Sequence, residues 1–177
     1  GDLTLTVSGG GTVSIGANIS LANAGSDLTI NGGSVSQSAG ASVTVGGTTT
    51  LNLGAANSAT LNGANSFNIV AITSGNAVFL TDTASGIVLG TSTVSGNLNV
   101  TANGAITDIG DLLVTGTTTL AAGSGNNITL NNSNNFADSV IITSGNNVIL
   151  VDTGAIDLGA STVSGTLNVT TNGAITD

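Results

Sequence analysis

The chain has 177 residues, 27 of them Gly, with 40% hydrophobic residues but only three aromatics, all Phe, and no Pro, Cys, Met, Trp, Tyr, His, Lys, Arg or Glu. Its nine charges are all Asp, for a net charge of -9; without Lys or Arg it cannot hold a phosphate backbone, which excludes nucleic acid, and it lacks the basic patch that grips an anionic membrane surface. A mean hydropathy of +0.46 excludes a disordered chain, and the absence of Cys excludes disulfides and thiolate metal sites.

In chain order the predicted elements are short strands: Leu3-Thr4-Leu5-Thr6-Val7, Leu28-Thr29-Ile30, Val43-Thr44-Val45, Leu51-Asn52-Leu53, Leu98-Asn99-Val100, Ile128-Thr129-Leu130 and Ile156-Asp157-Leu158. Alternation of apolar and polar residues marks a strand with one buried face. No helix-period stretch competes, and no apolar run approaches the ~20 residues that span a bilayer. Between the strands stand Asn31-Gly32, Asn62-Gly63, Asn103-Gly104 and Asn172-Gly173, corner pairs that accept positive φ at little steric cost.

The strands belong to a repeat. Leu89 to Asp108 returns as Leu158 to Asp177 with 17 of 20 positions identical; Val45 to Leu51 returns as Val114 to Leu120, and Phe67 as Phe136, all at a spacing of 69 residues. Marker glycines subdivide the unit: Gly96, Gly116, Gly145 and Gly165 lie 20, 29 and 20 residues apart. Strands of three to five residues form no stable sheet within so short a unit, but stacked on the next unit they do. The expected fold is therefore an all-β, right-handed parallel β-helix of about eight coils, with a three-coil super-repeat of 69 residues. The 29-residue sub-unit is expected to hold an enlarged corner at Asn57 to Phe67 and at Asn126 to Phe136. Tandem immunoglobulin-like sandwiches fit less well, because their strands are longer and their cores carry aromatics. Residues 1–177 read as one β-helical segment without an internal boundary, a window of a longer array; nothing at Gly1 resembles a signal peptide.

Candidate sites are few. General acid-base work would fall to Asp alone, with no imidazole or amine to activate a hydroxyl, so no enzyme, catalytic residue or cofactor is expected. Asp82 and Asp152 match one repeat apart, too distant to share a metal. Asp108 and Asp111 are weak calcium candidates, since Ca²⁺ takes several hard oxygens in loose geometry. Thr48-Thr49-Thr50 and Thr117-Thr118-Thr119 invite an ice-binding reading, but the favoured one is outward Thr on a β-rich face. Asn-x-Ser/Thr sequons stand at Asn18, Asn99, Asn127, Asn131 and Asn168.

Coils such as VSGNLNVTANGAITD and VTGTTTLAAGSGNNITL resemble the filamentous haemagglutinin-like exoproteins, giant repeat adhesins of Gram-negative bacteria. That resemblance implies a β-helical shaft, secreted or displayed at the bacterial cell surface, extending a binding region towards a glycan or protein ligand. The alternative is a filament or sheath subunit that self-associates end to end, because neither end shows a polar cap and an open β-helix end leaves backbone groups unpaired.

Overall fold

The computed structural model describes all residues, Gly1–Asp177. Twenty strands and no helix make up the chain, so no helix is long and apolar enough to cross a membrane. Every strand pairing is parallel, as the stacking of successive coils requires.

A central coil shows the plan. Three strands, Leu98–Ala102, Ile106–Asp108 and Leu112–Val114, turn through three faces before Thr118–Ala121 returns to pair with the first. We label the face of Leu98–Ala102 face A, that of Ile106–Asp108 face B and that of Leu112–Val114 face C. On face A one ladder runs through the molecule in eight rungs, Val13, Val35, Ala59, Val78, Leu98, Thr118, Val140 and Leu158. At about 4.8 Å per rung the rod is roughly 40 Å long. The β-solenoid of about eight turns is thus as expected.

Alternation places the core. In Leu98–Ala102 the residues Leu98, Val100 and Ala102 are buried while Asn99 and Thr101 face outward, and the same pattern in all coils gives one core of 36 buried apolar residues. Phe67 and Phe136 are its largest members.

The super-repeat departs from the expectation in one respect. Ala59 reaches Thr118 after three rungs, but its repeat mate Ile128 lies one strand further on, paired with Ile106 and Val148 on face B. Likewise Leu98 stands on face A and its mate Leu167 pairs with Val148 on face B. The 69-residue unit therefore advances three coils and one further face. No enlarged corner exists: residues 57–67 and 126–136 run into the strands Ala59–Ser74 and Ile128–Phe136, whose registers merely shift between Leu61 and Asn65 and between Leu130 and Asn134.

Corner glycines also work differently from the expectation. Of the four Asn-Gly pairs only Gly32 has positive φ. At Gly63, Gly104 and Gly173 the requirement is space: a Cβ would lie 2.4 Å from the Ala41 carbonyl oxygen, 2.5 Å from the Gly86 nitrogen and 2.7 Å from the Ala155 nitrogen. Coils one rung apart touch there through backbone.

Candidate functional site

Where the register shifts, the ladder leaves backbone N–H groups pointing into the rod, and buried N–H groups require acceptors. Side chains supply them. The Asp82 carboxylate, fully buried, accepts the Phe67 N–H at 2.6 Å through Oδ2 and the Ala84 and Ser85 N–H groups at 3.0 and 2.8 Å through Oδ1. One repeat on, Asp152 accepts the Phe136 and Gly154 N–H groups at 2.7 and 2.6 Å. Three N–H donors stabilise a carboxylate in a site without a cation.

Beside each sits a buried amide. Asn65 Oδ1 accepts from the Val43 N–H at 2.8 Å and from Gln37 Nε2 at 2.6 Å, while its Nδ2 donates to the Leu61 carbonyl at 3.1 Å. Asn134 Oδ1 accepts the Leu112 N–H at 2.8 Å and its Nδ2 donates to Asp108 at 2.8 Å. Sequence reasoning missed Asn65 and Asn134, although the signal was present: each is a polar residue at an inward position two before a Phe, one repeat apart.

The calcium candidates are brought into the same duty. Asp108 accepts from the Asn131 and Asn132 N–H groups at 3.0 and 3.2 Å in addition to Asn134. Asp111, exposed, accepts the Ser133 N–H at 3.0 Å. A cation at either would displace these donors, and no group of three or more His, Cys, Asp or Glu side chains converges anywhere. Asp82 and Asp152 lie on different corners. On the surface, Asp157 accepts from Ser139 and, at 2.9 Å, from Thr176; these bonds, Ser139 first, hold its carboxyl below the usual carboxylate value.

The threonine triples are not an outward array. Thr49 and Thr118, the middle residues, are fully buried with unpartnered hydroxyls. Alternation forces this: with Thr48 and Thr50 outward, the residue between must point in. The triples also occupy different faces, Thr118 pairing with Leu98 and Val140 on face A and Thr49 with Leu28 and Val70 elsewhere. The sequon asparagines Asn18, Asn127, Asn131 and Asn168 are exposed and Asn99 half-buried; Asn18 and Asn127 accept the N–H groups of Ser42 and Asn147 on the next rung.

The outer surface carries two open grooves. One, of about 470 Å³, lies on face A around Phe79. The other, of about 450 Å³, runs over Gly46, Asn68 and Gly86.

Three successive stretches, residues 1–74, 75–143 and 145–177, match a family model described as "Repeats of unknown function (DUF5649)". No curated protein and no solved structure matches the chain.

Proposed function

The chain belongs to the DUF5649 repeat family, and from that premise we propose that it forms the shaft of a secreted, surface-displayed bacterial adhesin, a spacer carrying a binding region away from the cell. It is a structural β-solenoid repeat protein. The observation that supports the shaft role is the face A ladder, continuous through eight rungs over one apolar core. Because each coil makes the same contacts with its neighbours, adding repeats lengthens the rod without new chemistry.

The test is length. Each 69-residue repeat should add roughly 16 Å at constant cross-section, measured by electron microscopy or small-angle scattering on arrays of two, four and six repeats. Particles whose longest dimension does not grow with repeat number would overturn the reading. A second reading, a filament subunit stacking end to end, rests on the strands Thr12–Ile15 and Leu167–Thr171, each paired on one side only. The intact mass of the native protein separates the two: many times 16.8 kDa favours the covalent shaft, and a mass near that value the stacking subunit.

A further inference from the structure

One strip of outward side chains serves neither the core nor the ladder. On face A, Thr60, Phe79 and Asn99 stand in register on three successive rungs, and with Asn62, Thr81 and Thr101 they line the open groove of about 470 Å³. Phe79 is 40% exposed, whereas Phe67 and Phe136 are each 1% exposed. The sole exposed aromatic of the chain therefore lies in this groove. The polar side chains around it have no partner within the protein. They are thus free to bond a ligand, unlike two other columns whose side chains bond along the rod, Asn31 to Asn52 and Asn52 to Ser74, and Asn127 to Asn147 and Asn147 to Thr166.

We propose that this strip is a binding site for a neutral saccharide, with a pyranose ring laid on the face of Phe79 and its hydroxyls bonded by the free amides of Asn62 and Asn99 and the hydroxyls of Thr60, Thr81 and Thr101. The chemistry matches from both sides. An aromatic ring offers a flat apolar face to the C–H edge of a sugar, and amides and hydroxyls each donate and accept, as sugar hydroxyls do. No charged residue lines the groove, and a net charge of -9 without a single Lys or Arg repels anionic glycans and phosphates. The side chains project from a hydrogen-bonded backbone on adjacent rungs, so little ordering is needed on binding. This site goes beyond the shaft role, and its failure would leave that role intact.

The molecule contains its own control. The frame recurs as Thr129, Ile149 and Asn168, again in register on three rungs but on face B. There the ring is replaced by Ile149, 38% exposed. Thr129, Asn131, Asn168 and Thr170 retain four of the hydroxyl and amide neighbours, Val151 stands in place of Thr81, and the platform is absent.

The experiment titrates the whole chain with cellohexaose, maltohexaose and laminarihexaose, read by saturation-transfer NMR and calorimetry, with polygalacturonate as the anionic comparison. At least one neutral hexasaccharide should bind with a stoichiometry of one and show transfer from aromatic protons. Phe79→Ile should weaken it at least tenfold while the unfolding midpoint stays within a few degrees, since Ile already occupies the equivalent outward position at 149. Ile149→Phe combined with Val151→Thr, which rebuilds the frame of Phe79 and Thr81, should raise the stoichiometry to two. No binding of any of the three sugars at 10 mM, binding unaffected by Phe79→Ile, or equal binding of polygalacturonate would each overturn the proposal.

Discussion

At the scale of single residues, the interior is governed by which polar atoms find partners. Thr49 and Thr118 bury hydroxyls that have none, so Thr49→Val and Thr118→Val, which keep the shape and remove the unpaired group, should each stabilise the fold by about 1 kcal/mol, measured by urea unfolding. Asp82→Ala has the opposite sign. It strips three N–H groups of their acceptor and should cost about 2–3 kcal/mol. Asp157 sets an acid limit: its carboxyl is held below the unfolded value of 3.8 by Ser139 and then Thr176, so its contribution is present above that pH and lost as the pH falls through its lowered folded value. Asp157→Asn should flatten the stability profile below about pH 4, and an unchanged profile would contradict the assignment. Inward and outward positions were legible where apolar and polar residues alternate, but not in the threonine triples, where three identical residues hide that Thr49 and Thr118 point inward. The acceptor role of Asp82 and Asp152 was not, because it depends on N–H groups released by register shifts that no local pattern announces.

At the scale of the strand and corner, glycine answers to crowding more often than to backbone conformation. Gly104 has no positive φ, yet its missing Cβ would meet the Gly86 backbone of the neighbouring coil at 2.5 Å. Gly104→Ala should therefore cost about 1–3 kcal/mol as overpacking, whereas Gly125→Ala, with nothing within 4 Å, should be neutral or stabilise by up to about 1 kcal/mol. Thermal unfolding of the two variants side by side checks the contrast. The same ambiguity explains the misread 29-residue spacing. Glycine marks any tight corner: Gly96 and Gly116 stack at the corner leading into face A, against Asn76 and Asn97, while Gly165 stands at the corner leading out of it, against Asn146 and Asn147. A spacing from one kind of corner to the other is a coil plus a face, and the sequence does not label which corner a glycine serves.

At the scale of the molecule, the first and last coils present parallel strands bonded on one side only, with Leu167 and Ile175 exposed at 41% and 53%. Such edges template further strands, so the isolated 177-residue segment should self-associate, and a monodisperse monomer in light scattering at tens of micromolar would count against this. The coil number and the all-parallel order were readable from strand length and repeat spacing, since strands so short are stable only when stacked. How the repeat meets the coil was not, because it is decided by pairing partners rather than by composition. That relation bears on how such chains grow. A stretch such as LNVT, at Leu98 on one face and at Leu167 on the next, makes equivalent pairings in both, so the three sides of the prism are interchangeable. A gene duplication therefore need not cut at whole turns to leave the ladder intact. Each new copy is turned by a third of a circuit, and a trait written once per repeat winds round the rod like a screw thread, facing all sides in succession.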